Sequence, residues 1–220
     1  MKVSIVLEAF RQSLTDYAKQ EGLLINRSSG DLSYKSKDFS ACFSIFRSVY
    51  DEVWVYPHLF VEYKALRRLA RVVVPQQPHL LDAVNINLLV LKDYLSGGVL
   101  YKKRGSDPFY VLQSERDITS FLMDYKELVQ MGLEYINKNC STLMALNQIY
   151  NTNPFWKENP HCAWYYNVCF LGPAIAKLSK DPNYLHLRDQ YIHIVESENV
   201  MPDEDSRKAF YKMIEVLDSK

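Results

Sequence analysis

The segment FSACFSI, residues 39–45, decides the fold class, because its apolar side chains recur at every second position. Such alternation places the apolar residues on one face of an extended strand. Leu32–Ser36 alternates in the same way, and Val53–Tyr56 is rich in β-branched and aromatic residues. Turn-forming residues separate these segments, so the sequence predicts an antiparallel meander of three or four strands within residues 23–63. Pro57 predicts an edge, an end or a bulge in the last strand, because proline donates no backbone hydrogen bond.

Helical patterns lie on both sides of this meander. Residues 3–21 carry apolar side chains at helical spacing, and Gly22 follows as a C-cap. Ser114 and Asp117 resemble an N-terminal capping box, after which the helical period holds for about five turns. Further helices are predicted at residues 141–149, 161–179 with a kink or new start at Pro173, 183–196 after an Asp181 N-cap, and from Pro202 to about Leu217.

The middle of the chain, residues 64–95, stays open at this stage. A short helix around Leu66–Ala70 fits the pattern, whereas residues 86–95 fit a strand or a buried helix equally well. No linker separates the two halves of the chain. The sequence therefore predicts a single α+β domain over residues 1–220, in which residues 1–112 form a helix plus an antiparallel sheet and residues 113–220 form a helical half packed on it.

Composition narrows the function classes. The 220 residues include 26 Lys and Arg and 26 Asp and Glu, so the formal net charge is zero. A dedicated nucleic-acid binder needs an excess of basic residues, and this chain has no such excess. Binding to nucleic acid is therefore not predicted. Low self-repulsion instead favours association with a partner protein or with a second copy of the chain, as a homodimer.

Standard signatures of cofactor, metal and membrane binding are absent from the sequence. Its four cysteines match no zinc spacing, and its glycines form no phosphate-binding loop. Neither a cofactor nor a metal is predicted. No apolar stretch is long enough for a membrane span or a signal peptide, so a cytoplasmic location is expected.

Three residues are weak candidates for catalysis. His58 and Glu62 lie four apart on a predicted strand, which puts them on one face as a general acid–base pair. The competing interpretation is an exposed edge histidine. Cys140 precedes a predicted helix, and a helix N-terminus lowers the pKa of a thiol, although an unreactive loop thiol also fits. His161 with Cys162 and Cys169 suggests a metal or redox group or, alternatively, buried apolar packing.

Other residues are candidates for partner binding. A basic cluster without an acidic residue comprises Lys64, Arg67, Arg68 and Arg71. It fits either a phosphate or an acidic partner, or a solvated helix face. Trp156 lies in a proline-containing loop among other aromatic residues, which is typical of interfaces and equally of ordinary packing.

The order of elements resembles uncharacterised bacterial domains of unknown function, which are distantly similar to toxin-immunity and accessory proteins. The segments that carry the resemblance are Ile45–Ser48, Val53–Val61, Pro108–Val111 running into Ser114–Ile118, and Gly172–Ala176 followed by Asp181–Leu185. The resemblance implies binding to a protein partner, and it transfers no functional residues.

Two functions follow as hypotheses. The first is a non-enzymatic protein-interaction module of immunity or accessory type, with the Arg67 cluster or the Trp156 loop at the interface. The alternative is a small-molecule-binding protein or enzyme whose site lies between the sheet and the helical half, with His58, Glu62 and Cys140 as its residues.

Overall fold

A computed structural model of the chain describes residues 3–49, 53–99, 108–155, 159, 161 and 165–219. It combines an antiparallel sheet with α-helices, which confirms the predicted α+β class. The strands are β1 (Leu24–Ile25), β2 (Leu32–Lys35), β3 (Phe39–Val49), β4 (Val53–Tyr63), β5 (Val84–Asn87) and β6 (Tyr110–Leu112). The helices are α1 (Val3–Gln20), α2 (Lys64–Val73), α3 (Leu88–Leu95), α4 (Glu115–Asn139), α5 (Leu143–Asn151), α6 (Tyr165–Leu178), α7 (Tyr184–Ser197) and α8 (Glu204–Asp218), with a 3₁₀ helix at Pro78–Leu81.

The strands follow the order β1-β2-β3-β4-β5, and β6 pairs with the first residues of β4. Leu32 pairs with Phe43 between β2 and β3, and Val53 pairs with Leu112 between β4 and β6. All four of these side chains are buried, so each pairing joins two residues of the same sheet face. The predicted meander within residues 23–63 is therefore confirmed.

Pro57 does not end β4 or confine it to an edge, since β4 has β3 on one side and β5 and β6 on the other. The edge and strand-end alternatives are therefore wrong, and the bulge stays a prediction. The pairing with β6 covers Val53 to Val55, so Pro57 lies beyond it and its missing N–H removes no bond to β6. Burial alternates along the whole strand, with odd-numbered residues buried and even-numbered residues half-buried.

Contacts between backbone segments divide the chain into two compact units, which are described separately. Unit 1 comprises residues 1–61 and 85–134. In its core, the Phe10 ring of α1 lies 5.2 Å from the Phe121 ring of α4, and the Tyr125 hydroxyl donates to the Phe43 carbonyl of β3 at 2.9 Å. Helices α1 and α4 therefore contribute to one core with the sheet.

Unit 2 comprises residues 62–84 and 135–220. Its centre is α6, which is buried along nearly its whole length and contacts α5, α7 and α8. Gly172 of α6 permits a close approach, because a Cβ at this position would overlap the Tyr191 ring of α7. Pro173 lies inside α6, so the new segment predicted at this proline does not occur.

Several boundaries differ from the predicted ones. The segment expected to be either a strand or a buried helix contains one of each, β5 followed directly by α3. The Asn87 side chain starts α3 by accepting a hydrogen bond from the Leu89 N–H at 2.8 Å. Thr142 caps α5 instead of Ser141, and Asn183 precedes α7 instead of Asp181. The capping box at Ser114 and Asp117 is confirmed by reciprocal bonds of 2.8 and 3.3 Å.

In the part of the chain that the structure describes, no helix combines the length and the apolar character that crossing a membrane requires.

Candidate functional site

His58 lies on the half-buried face of β4, among aromatic side chains. Its ring lies 5.9 Å from the ring of Phe60 at an interplanar angle of 21°. Further along the same face, Trp54 stacks on Phe109 at 4.5 Å, and Tyr56 lies 5.3 Å from Phe109. The predicted common face of His58 and Glu62 agrees with the alternating burial of the strand. His58 is thus one member of an aromatic sheet surface.

Glu62 ends this face and forms an ion pair. Its carboxylate lies 3.0 Å from the guanidinium of Arg67, and 40% and 58% of the two side chains are exposed. An exposed pair of this kind contributes at most about 1 kcal/mol to stability. Glu62 is therefore a surface carboxylate that lies close to a cation. Its negative charge also affects the pKa of nearby titratable groups in unit 2.

Asp82 is one of those neighbours, and sequence reasoning missed it. It lies between the 3₁₀ helix and β5, and burial raises its pKa from 3.8 to about 7. The negative charge of Glu62 makes a smaller contribution to this rise, and the positive charge of Arg67 opposes it. The available signal was one carboxylate inside the apolar run Leu80–Val84. Asp82 is the carboxyl group of this site whose charge changes near neutral pH.

Cys140 is not the activated thiol that its position predicted. It follows the C-terminal end of α4 and is fully buried, and burial raises the pKa of its thiol to about 12, against the weaker opposing effect of a hydrogen bond with Tyr135. The expected lowering of the pKa is wrong, because α5 begins only at Leu143 and desolvation penalises the thiolate. A thiol of this kind stays protonated at neutral pH.

Cys140 belongs to a buried polar cluster, which we call the Tyr135 cluster: Tyr135, Cys140, Asn159 and His161. The Tyr135 hydroxyl lies 2.5 Å from Nδ1 of His161, and the backbone N–H of His161 donates to Oδ1 of Asn159 at 2.9 Å. Burial lowers the His161 pKa to about 3, so its ring is neutral at physiological pH. Tyr63 donates to the Cys140 carbonyl. The cluster holds neutral groups and fixes the junction of α4 and α5.

The predicted basic cluster lies on α2, and we call its outward side the basic face: Lys64, Arg67, Arg68 and Arg71. All four side chains are on the exposed side of the helix, opposite the buried Leu66, Leu69, Ala70 and Val73. The Arg68 Nε donates to the Lys64 carbonyl at 3.2 Å. Within the described ranges Arg71 has no ion pair. The other partner-binding candidate, Trp156, lies outside the described residues.

Among the described residues, no three His, Cys, Asp or Glu side chains gather in a way that could hold a metal ion. Cys169 is buried in α6, while Cys162 lies outside the described part of the chain. The metal or redox interpretation of His161, Cys162 and Cys169 therefore gains no support from the residues that can be placed.

Comparisons with protein-family models, with curated proteins and with solved structures give no match for this chain.

Proposed function

We propose that this chain is a protein-binding module that acts without catalysis, of the immunity or accessory type that its sequence resembles. The observation that supports this proposal most is the basic face of α2. It presents four cations on one exposed side of a ten-residue helix, and no acidic residue lies within that helix.

The chemistry of the basic face favours an acidic protein surface as its partner. Arginine guanidinium groups form bidentate hydrogen bonds with carboxylates, which adds orientation to the charge attraction. Arg67 already binds one carboxylate, that of Glu62, through a single hydrogen bond of 3.0 Å. Arg71 and the guanidinium ends of Arg67 and Arg68 remain accessible for further carboxylates.

The enzymatic alternative has weaker support. The buried Cys140 thiol is protonated at neutral pH, and Glu62 is engaged with Arg67. A nucleophile needs an ionised or readily deprotonated group. His58 and Glu62 lie on the common face that suggested an acid–base pair. Another histidine of the described chain, His161 in the Tyr135 cluster, is buried and neutral and so offers no charged group for catalysis.

Charge reversal of the basic face tests the proposal. We expect Arg67→Glu, Arg68→Glu and Arg71→Glu together to lower recovery of the partner from a lysate of the source organism by at least about tenfold, because three attractive contacts become repulsive. The matched control reverses three exposed lysines on other helices, Lys19, Lys138 and Lys212, and so changes the net charge by the same amount.

Recovery is read by mass spectrometry of the captured proteins, and circular dichroism checks that each variant folds. Equal recovery with the variant and the parent would show that α2 is not the interface. Retention of the chain on DNA or RNA at low salt, lost in the basic-face variant and kept in the lysine control, would instead assign the face to phosphate binding.

A further inference from the structure

The ion pair between Glu62 and Arg67 is a contact through one hydrogen bond at the surface of unit 2. Nη1 of Arg67 donates to Oε2 of Glu62 at 3.0 Å. The Arg67 side chain is 58% exposed and the Glu62 side chain is 40% exposed. Among the described residues, neither side chain makes another hydrogen bond. The other N–H groups of the Arg67 guanidinium are therefore accessible to a second carboxylate.

A carboxylate from outside the chain can bind this guanidinium better than Glu62 does. A guanidinium presents two parallel N–H groups that match both oxygens of a carboxylate, and such bidentate pairs are stronger and better oriented than single bonds. Glu62 uses one of these N–H groups. Because an exposed ion pair is weak, replacing it costs a binding partner at most about fivefold in affinity.

Glu62 also lowers the positive charge of the basic face. Arg67 is the arginine of that face whose charge is offset by a carboxylate within hydrogen-bond distance. Arg68 and Arg71 form no ion pair within the described ranges. An acidic partner surface must therefore either displace Glu62 or bind without Arg67.

We propose that Glu62 is an intramolecular competitor of the protein partner: its carboxylate holds Arg67 until a carboxylate of the partner displaces it. The proposal rests on the proposed function, because it assigns a regulatory residue to the same basic face. The affinity of this face for an acidic partner is thus lower than its cations alone would give, and neutralising Glu62 raises it.

Asp82 makes this competition dependent on pH. Burial raises its pKa to about 7, and the charges of Glu62 on β4 and Arg67 on α2 act on it as well, the first raising and the second lowering the pKa. Asp82 is therefore mainly neutral at about pH 6 and mainly negative at about pH 8. Its negative charge attracts Arg67, as that of Glu62 does, so an acidic partner should bind more weakly as the pH rises through about 7.

The test measures binding of acetyl-hexaglutamate amide, whose side chains are ionised at both about pH 6 and about pH 8. NMR signals of the arginine Nε–H groups in the full chain give the dissociation constant at low salt. At about pH 6, Glu62→Gln should bind the peptide about two- to fivefold more tightly than the parent, because no carboxylate then has to be displaced. Glu215→Gln removes the same charge from an exposed position of α8 and should bind as the parent does.

Equal dissociation constants for Glu62→Gln and the parent would overturn the proposal, as would the absence of binding to both. A double variant separates displacement from general charge repulsion. In a chain that carries Arg67→Gln, the further change Glu62→Gln should alter the dissociation constant no more than Glu215→Gln does, because Glu62 then has no guanidinium to hold. An undiminished effect there would make Glu62 a plain surface charge and overturn the competitor.

A comparison of the two pH values tests the part assigned to Asp82. The parent should bind the peptide more weakly at about pH 8 than at about pH 6, and Asp82→Asn should remove most of this difference, because an amide does not titrate. The same pH dependence in both chains would overturn the role of Asp82, because another group would then cause it.

The two proposals fail separately. A chain that captures a protein partner through the basic face, but whose Glu62→Gln variant binds the peptide as the parent does, would keep the protein-binding module and overturn the competitor. A clear effect of Glu62→Gln on peptide binding, in a chain that captures no protein, would do the reverse.

Discussion

Asp82 shows what a single buried carboxyl does to stability. Its folded-state pKa is about 7, against 3.8 for the free group. Between these values the folded protein keeps a proton that the unfolded chain has released. The stabilising contribution is therefore fully present below about pH 4 and is lost as the pH rises to about 7. Because one group binds at most one proton, its contribution to the slope is at most about 1.4 kcal/mol per pH unit.

Asp82→Asn should remove this slope, because an amide does not titrate. We expect urea denaturation to give a flatter stability profile between about pH 4 and 7, and a variant more stable than the parent at about pH 8. Asp16→Asn makes the same chemical change at an exposed position and should leave the profile unaltered. Glu62→Gln should move the upper end of the slope below about pH 7, since it removes one cause of the shift. A parent profile without a slope in this range would refute the assignment.

The residues of the candidate site were harder to predict than the strands and helices. His58 and Glu62 were found because one strand places them on one face, a local property of sequence. The charge of Glu62 acts on the Asp82 carboxyl across 20 residues of sequence, and the His161 ring contacts the Tyr135 hydroxyl across 26 residues, so both interactions depend on tertiary packing that local periodicity does not contain.

At the scale of elements, the spacing of apolar residues was enough to predict a helix or strand that has one apolar and one polar face. α1, β2 and β3 overlap the expected segments and the capping box starts α4 as expected, whereas β4 continues through Pro57. α6 continues through Pro173, where the sequence predicts a kink or a new segment, and its burial along nearly its whole length leaves no polar face to mark the helical period. The apolar pattern also does not show where β5 ends and α3 begins. The Asn87 cap is the feature that marks this boundary.

The packing of α6 against α7 gives a prediction at this scale. Gly172→Ala should destabilise the protein, because the added methyl overlaps the Tyr191 ring, whose hydroxyl is held by the Tyr150 carbonyl and the Asn151 side chain at 3.1 and 3.0 Å. Overpacking costs about 1–3 kcal/mol, against a gain of about 1 kcal/mol in helix propensity. We expect a lower denaturation midpoint.

Gly98→Ala is the matched control for this change. There the added methyl meets the carboxylate end of Asp93, a flexible side chain that can move away. We expect a midpoint close to that of the parent. An equal or higher midpoint for Gly172→Ala than for Gly98→Ala would mean that α6 and α7 do not approach closely at this glycine.

At the scale of the whole molecule, the expected single domain remains a prediction. The boundaries between the two units fall after Val61, inside β4, after Val84, inside β5, and after Glu134, inside α4. Because three regular elements continue through these boundaries, we expect one calorimetric transition whose van't Hoff and measured enthalpies agree.

Variants in each unit sharpen that experiment. Leu14→Ala in unit 1 and Phe210→Ala in unit 2 each remove a fully buried side chain, at a cost of about 2–5 kcal/mol. If the chain unfolds as one domain, either substitution lowers the same single transition. If only part of the transition moves, so that two peaks appear, the units unfold separately and the single-domain prediction is wrong.

The cysteines of the two units differ in burial, and this difference allows them to report on local opening of the structure. Cys42 of β3 is half-buried in unit 1, whereas Cys140 and Cys169 are buried in unit 2. A thiol-specific dye reacts with a buried thiol only while its surroundings are open, so the labelling rate of Cys140 and Cys169 measures how often that part of unit 2 opens. With Cys162 replaced by serine, the unlabelled fraction over time would give the opening free energy of unit 2 under native conditions, without any denaturant.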